Sequence, residues 1–422
     1  MFRRIVYRAF SDVWSKGAFF LITVAAAHRL SQQAFGIFSL ATTLGWIVGV
    51  TTDFGIQLHV ARAVARQPER ATAILWTWMR IRIWTAAAAI GVIAAGLLVR
   101  APAAQYAVPL FFFTLLYVGN GLIEFLHYFY RGLGRSDVES TLTICQRAAT
   151  LVCALAVLTW RPDLTLLAIA LLVPVTFTFA YSLGAAIRLG RNAAGTTADG
   201  AAEPSPRLAH TARWQEFRHD VLPIGAGIVL SALYFRIDVF LVQLWSGAES
   251  VALYNAVFRL VEALRLFPAA ALAVVLPSLC RAGDTRPLMR VAVAVTVFAC
   301  ATTLMLTAAA GWIIPFVYGA RYADAVPAFR ILLFSFPLFS LNYALTHQLI
   351  GWDGQRSYAA IAGVALAANV ALNAWLIPAR GIEGAAWATL LTEAILTAGC
   401  SVALGARNPA RAAGTAPAPA AS

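Results

Sequence analysis

Charge is what this sequence has least of. Only 12% of its 422 residues are Asp, Glu, Lys or Arg, while 60% are hydrophobic. A soluble globular chain carries about 25% charged residues. At half that level the chain cannot coat a water-facing surface, which excludes a soluble enzyme or a nucleic-acid module. Lysine is nearly missing, since Lys16 stands alone beside 31 arginines; this skew reads as genomic base composition rather than chemistry. Cys145, Cys153, Cys280, Cys300 and Cys400 lie singly in or at the ends of apolar runs, with no C-x-x-C and no Cys/His cluster. Neither a disulfide framework nor a metal site is expected. The opening MFRRIVYRAF lacks an apolar core followed by a small-residue cleavage site, so no cleaved signal peptide is expected. Aromatics at 12%, with 29 Gly and 18 Pro, exclude a low-complexity chain. What remains is an all-α polytopic membrane protein.

A spanning helix needs about 20 mostly apolar residues. Runs of that kind fall at 10–28, 34–56, 81–99, 106–130, 141–160, 164–187, 221–245, 251–279, 288–311, 327–350, 358–378 and 382–405. Backbone polar groups in lipid must be satisfied internally, and uninterrupted apolar runs of this length allow only helices. Twelve spans are therefore predicted. The arginines test that count. Twenty-two of the 31 fall on one side: three before span 1, five around the second loop (Arg62 to Arg82), and the rest at every second loop and the C terminus. The opposite loops hold Arg29, Arg100, Arg161, Arg321 and Arg380, one apiece. A wrong span count would scramble this asymmetry. By the positive-inside rule both termini are expected in the cytoplasm, and the net charge of +13 reflects topology and anionic-lipid contact, not a polynucleotide footprint.

A polar stretch, 189–219, divides the spans six and six. Its Gly, Ala, Thr and Pro content reads as a flexible cytoplasmic linker. The expected organisation is a six-helix lobe over 1–188, the linker, a second lobe over 220–405, and a disordered tail over 406–422. The halves also match each other. Phe38 pairs with Tyr254, Asn120 with Asn342, Arg135-Ser136 with Arg356-Ser357, and Arg161 with Arg380, at offsets between 216 and 222. A near-constant offset indicates a duplicated six-helix unit, both copies pointing the same way, as in two-lobed transporters.

Several stretches carry a family resemblance. HRLSQQAFGIFSLATTLGWIVGVTTDFGIQLHVARAVAR has a turn, a D-x-G and a basic inner loop. YFRIDVFLVQLWSGAESVALYNAVFRLVEAL forms spans 7 and 8. VYGARYADAVPAFRILLFSFPLFSLNYALTHQLIGWDGQRS forms a loop and span 10, and ANVALNAWLIPARGIEGAAWATLLTE leads into span 12. Across nearly the whole chain the sequence resembles the polysaccharide repeat-unit flippases (O-antigen and exopolysaccharide translocases) of the multidrug/oligosaccharidyl-lipid/polysaccharide exporter superfamily. One departure is Leu30-Ser31, where the family has Leu-Gly. The resemblance implies a MATE-like exporter fold of two lobes flanking a cationic cavity. It implies an undecaprenyl-pyrophosphate-linked oligosaccharide as substrate, moved from the inner to the outer leaflet by alternating access. It further implies membrane lipids and other polysaccharide-assembly proteins as partners, and no resident cofactor beyond a proton or sodium gradient.

A charge at mid-bilayer costs about 2.5–3.5 kcal/mol even on insertion scales, so each one needs a partner, an aqueous cavity or a snorkelling path. Arg259, Glu262 and Arg265 recur every three residues on neighbouring parts of one helix side. Two readings are open: a self-neutralising structural ladder, or a row whose surplus cation receives a pyrophosphate, for which the planar guanidinium fork is suited. Arg236 and Asp238, two apart, do not face each other and are expected to serve different neighbours. Asp12 and Lys16, at i and i+4, can pair within span 1 or snorkel. Arg147 and Arg330 lie near a helix end, where snorkelling competes with cavity contact. The candidate cationic cavity is thus Arg259, Arg265, Arg236, Lys16 and Arg147. The candidates for ion coupling or charge pairing are Glu262, Asp238, Glu124, Asp12 and Glu393. His127 reads as a satisfied interfacial histidine, and Asn120, Asn342, Asn369 and Asn373 as ties between helices.

The leading reading is a flippase for a lipid-linked glycan repeat unit. A multidrug exporter of the same fold is the alternative, disfavoured for cationic drugs by the positive charge of spans 7 and 8. A lipid II flippase is expected to have fourteen spans. A membrane glycosyl-transfer enzyme, such as an O-antigen polymerase or ligase, needs a large outer loop, and the longest here is 312–326. Pro174, Pro268 and Pro337 each remove a helical donor and mark kinks. Pro268→Ala should reduce transport at normal protein abundance; unchanged transport removes Pro268 as a hinge.

Overall fold

The computed structural model describes residues 2–99, 104–195, 222–268, 286–352 and 354–407. Among them every regular element is helical. In order these are α1 (Phe2–Arg29), α2 (Gln32–Asp53), α3 (Ile56–Arg66), α4 (Ala71–Val99), α5 (Ala104–Gly132), α6 (Ser136–Trp160), α7 (Leu164–Gly195), α8 (Leu222–Leu264), α9 (Arg286–Tyr318), α10 (Val326–Leu333), α11 (Ser335–Gly351) and α12 (Gln355–Arg407), with short 3-10 turns at Pro68–Arg70 and Ala320–Ala325. The chain divides into two compact units, Met1–Ala232 and Leu233–Ser422.

Two helices are too long for one passage. At 1.5 Å per residue, the 43 residues of α8 and 53 of α12 would run about 65 and 80 Å, more than twice the hydrocarbon thickness. Each is a hairpin. In α8 the reversal is at Gly247 (φ 78°, ψ 178°), and Arg236 meets Asn255 across it at 3.0 Å. In α12 it is at Gly381 (φ 55°, ψ −131°), and Asn369 bonds Thr392 across it at 3.1 Å. Residues 19 or 23 apart on a straight helix would sit about 30 Å apart. Nine stretches are long and apolar enough to cross a membrane. Counting both hairpins twice gives eleven passes among the described residues, close to the twelve expected; the 28-residue α1 is not apolar enough to be counted with them. The protein is a multi-pass membrane protein.

Within unit 1, α5 is the central post, with α2, α3, α4, α6 and α7 packed around it. Val60, Val64, Leu75, Trp78, Phe125, Phe129 and Tyr130 form a buried cluster where α3, α4 and α5 meet. Helix α1 lies along α6, tied by Tyr7 to Thr141 (3.1 Å) and by the Trp14 indole to the Ile144 carbonyl (3.3 Å). The turn into α2 shows why Ser31 can stand where the family has glycine. Its backbone is extended (φ −62°, ψ 158°) and its hydroxyl accepts the Ala34 amide at 3.1 Å, an ordinary N-cap. The next corner is tighter: Phe54 is left-handed (φ 47°), and a Cβ on Gly225 would lie 2.3 Å from the Phe54 carbonyl oxygen. Within unit 2, α11 packs against α9 and α12. The break at Phe334 before α11 has a local cause: Pro337 cannot donate to the Leu333 carbonyl, and Thr303 of α9 takes that oxygen at 3.0 Å.

Several boundaries differ from the sequence reading. Helix α4 begins at Ala71 rather than at 81, because ATAILWTWMR continues the apolar helix inward, so Arg80 is helical rather than a loop residue and Arg82 lies about 16 Å into the helix rather than at its start. Helix α6 begins at Ser136, which places Arg147 about 16 Å into its helix rather than near an end. The second arm of α8 stops at Leu264, with Arg265 in a turn, four residues before Pro268. Helices α7 and α12 run on to Gly195 and Arg407. The remainder of the expected linker (189–219) and tail (406–422), and Cys280, lie outside the described residues.

Gly247→Ala forces a side chain into a left-handed reversal and should cost about 1–3 kcal/mol. Gly227→Ala, a helical position with nothing within 4 Å of the added Cβ, should not. Thermal unfolding of the two purified variants in detergent separates them.

Candidate functional site

In unit 2, the helix pair at Gly247 faces its charged side chains toward one another. Arg236 and Asp238 on the first arm are both 2% exposed. Two residues apart, they turn to different partners: Arg236 donates to Asn255, while Asp238 accepts the Tyr254 hydroxyl and the Val239 amide. Tyr254 also meets Thr389 of α12 at 3.1 Å, so the Asp238 carboxylate links both arms of α8 to the second arm of α12. Arg236 further lies over the Phe258 ring, 4.6 Å from its centroid. A buried charge is tolerated only when such bonds replace its hydration.

The row Arg259, Glu262, Arg265 does not act as a single ladder. Arg259, about 18 Å past the Gly247 reversal, holds Glu262 at 2.7 Å. Arg265 falls beyond the helix end, its amide bonded to the Glu262 carbonyl at 3.1 Å. Its guanidinium sits between the rings of Phe235 (4.4 Å) and Phe339 (4.2 Å), a cation–π arrangement suited to Arg. Glu393 is 1% exposed and accepts from Tyr234 (2.9 Å) and Asn342 (2.7 Å). Asn342 also accepts from Thr397 at 2.8 Å. These bonds join the first arm of α8, α11 and the second arm of α12.

Unit 1 carries a second polar group of residues. Arg147 donates to Ser15 of α1 at 3.0 Å. Asp12 and Lys16, expected to pair within α1, are both exposed and form no ion pair with each other among the described residues. Glu124 is exposed on α5, within electrostatic reach of Arg131, Arg147 and Arg82. Arg131 is committed elsewhere, as a fork on Glu139 (2.5–3.1 Å), which Arg8 of α1 also approaches at 3.6 Å. His127 does not behave as a satisfied interfacial histidine: it is 8% exposed and its Nε2 has no hydrogen-bond partner. Helix ties do form at Asn120, which accepts from Gln146 of α6 at 2.8 Å.

Two residues escaped the sequence reading. Arg82, counted with the arginines around the second loop although it falls at the start of the run 81–99, is a 1%-exposed side chain of α4. Its Nε stands 3.8 Å from Asp53, and its Nε and Nη1 have no hydrogen-bond partner. Asp53 itself accepts the amides of Gly55 (3.1 Å) and Gln57 (3.4 Å) at the start of α3. The D-x-G spacing pointed to Asp53; nothing in the apolar pattern separated Arg82 from the loop arginines beside it.

A family model described as "Polysaccharide biosynthesis protein" matches residues 2–282. No curated protein matches the sequence. Among solved structures the chain is similar to the lipid II flippase MurJ in an inward closed conformation, with 13% identity, 95% of this chain and 87% of that chain covered, and a TM-score of 0.62. It is similar to an inward-facing multidrug resistance MATE family transporter of the MOP superfamily, with 13% identity, 95% and 96% covered and a TM-score of 0.67. It is also similar to a MOP superfamily transporter from Pyrococcus furiosus, with 15% identity, 97% and 93% covered and a TM-score of 0.57. At these identities the likeness concerns the fold alone, which is MATE- and MurJ-like, as the paired six-span reading of the sequence requires. With that fold, and with a family match across most of its length, the chain belongs to the polysaccharide biosynthesis protein family.

Proposed function

We propose that the protein is a flippase. It translocates an undecaprenyl-pyrophosphate-linked oligosaccharide repeat unit from the cytoplasmic to the outer leaflet of the bacterial inner membrane, by alternating access, for surface polysaccharide biosynthesis. Both termini are cytoplasmic in this reading. The observation that carries it is a guanidinium, Arg259, held deep in a membrane helix of a chain from the polysaccharide biosynthesis family. A helix arginine at that depth costs about 2.5–3.5 kcal/mol unless it is paired or solvated; Glu262 pairs it here, and a pyrophosphate is the part of the substrate with charge to replace that partner.

Arg259 contacts the pyrophosphate, exchanging Glu262 for phosphate oxygens. Arg236 and Arg265 support it from the first arm of α8 and the turn after the second, and Arg147 and Lys16 serve the same role in unit 1. Arg suits the task because its fork binds two phosphate oxygens at once and does not deprotonate. Asp238 and Glu393 are the coupling carboxylates, since the hydroxyl and amide donors around them can rearrange as a proton or sodium ion binds. Glu262, Glu124 and Asp12 pair charge. Export of an organic cation is supported by the likeness to a MATE transporter, yet Arg236, Arg259 and Arg265 would repel such a cargo.

Arg259→Ala should lower surface glycan at least about tenfold, the loss of one charge-assisted bond of about 1.5–3 kcal/mol, while the protein still inserts; full surface glycan in that variant refutes phosphate contact. In proteoliposomes, transport should follow either the proton or the sodium gradient. Undiminished transport with neither gradient removes secondary coupling.

A further inference from the structure

Helix α4 is the least covered of the nine apolar stretches. One face of it packs inward, through Leu75, Trp78, Met79, Arg82 and Ala86. The other face carries Trp76, Arg80 and Trp84, all three exposed. Steps of four residues put them on one side of the helix, about 6 Å apart along its axis. Among the described residues, neither the Arg80 guanidinium nor either indole is joined to a partner by a hydrogen bond, ion pair or ring contact. Arg82, two residues on, turns the opposite way and stands 3.8 Å from Asp53. The protein therefore supplies a counter-charge to the inward arginine and none to the outward one.

Depth explains why the outward one needs none. Residues 81–99 of α4 extend about 28 Å at 1.5 Å per residue, close to the roughly 30 Å thickness of the hydrocarbon. Arg80 thus stands where hydrocarbon gives way to headgroups, with Trp84 about 6 Å inside that boundary and Trp76 about 6 Å outside it. For a guanidinium this is the level of the lipid phosphates. For an indole, apolar in its ring and polar at its N–H, it is the level of the glycerol esters. The charge nearby has one sign. Arg62 and Arg66 of α3 and Arg70 of the turn before α4 are exposed, with Glu69 the exposed acid between them. Such a surface attracts anionic lipid in general. The Trp–Arg–Trp stripe adds what a diffuse field lacks: a planar fork and two further donors at defined depths.

We propose that the Trp76–Arg80–Trp84 face of α4 is a binding site for one anionic phospholipid. The Arg80 guanidinium forks onto the two non-bridging oxygens of the phosphodiester. Trp84 donates its indole N–H to a glycerol ester carbonyl, and Trp76 donates to the outer end of the headgroup. The acyl chains lie along the apolar continuation of this helix, where Ile83 and Val92 are exposed. A choline headgroup would bring its own cation toward the arginines, so the site selects a lipid of net negative charge. On the flippase reading the leaflet concerned is the cytoplasmic one; the site itself does not depend on what the protein transports.

The test is native mass spectrometry of the full chain, delipidated in detergent and titrated with phosphatidylglycerol or, in parallel, phosphatidylcholine. The wild-type protein should take up its first phosphatidylglycerol at least about tenfold more tightly than Arg80→Gln, the loss of a charge-assisted bond. Phosphatidylcholine should bind both proteins alike. Arg80→Lys keeps the charge without the fork and should fall between them. Trp84→Phe keeps the ring without the N–H and should weaken binding about twofold to tenfold. Arg66→Gln removes an exposed arginine of the same end and should bind as the wild type does. All these side chains are exposed, so the variants fold. Equal phosphatidylglycerol binding by the wild-type protein and Arg80→Gln overturns the proposal. Equal losses in Arg66→Gln and Arg80→Gln also overturn it, because they mark a diffuse field and not a site. A wild-type dimer that Arg80→Gln dissolves assigns the face to a second copy of the chain, and overturns it too.

Discussion

Everything in this molecule answers to one constraint: inside hydrocarbon, no water is on hand to solvate a polar group, so each must find its partner within the protein. The backbone meets it with helices. The charged side chains meet it case by case, and they meet it unequally. Asp238 and Glu393 are enclosed by hydroxyl and amide donors. Arg265 is held by two aromatic faces instead of an anion. Arg82 has an acid nearby but not in contact. Where the account closes, the group ties helices together.

The same constraint shapes the turns. A chain that must cross repeatedly with little loop needs reversals that waste no polar backbone. Gly247 and Gly381 provide them in unit 2, each bringing two helix arms so close that side chains 19 or 23 residues apart share a hydrogen bond. Unit 1 solves the turn before α2 differently, with the Ser31 hydroxyl caps in place of a left-handed glycine. The duplicated halves thus share helix order without sharing turn chemistry, and their polar ties differ too: Asn120 reaches the following helix, whereas its counterpart Asn342 reaches the last one.

Much of the fold was legible because hydrophobic length is a local property. A run of twenty apolar residues states its own conformation, and the arginine asymmetry checks the count without reference to any contact. The boundaries were less legible. SDVEST is helical although polar enough to read as loop, and ATAILWTWMR, itself apolar, carries α4 inward of the run that begins at 81. Those boundary errors left Arg80 outside the helix, put Arg82 at its very start and placed Arg147 too near an end. The residue types at the candidate sites were visible as charges in apolar runs, while their partners were not. Spacing on one helix rightly separates Arg236 from Asp238, but it suggested an Asp12–Lys16 pair that does not form and a continuous row through Arg265 that the helix end interrupts.

By itself the sequence determined the class of molecule, a span count within one of that observed, the order of the spans, the doubling of a helical unit and the family motifs, because each of these depends on composition and periodicity along the chain. Only the tertiary structure decided which neighbour each charge meets. That choice turns on ångström-scale approach between helices far apart in sequence: a hydroxyl of α8 on Asp238, two rings around Arg265, an absent Cβ at Gly121 beside Arg82. Such distances are set by packing, and packing is written in no single stretch of the chain.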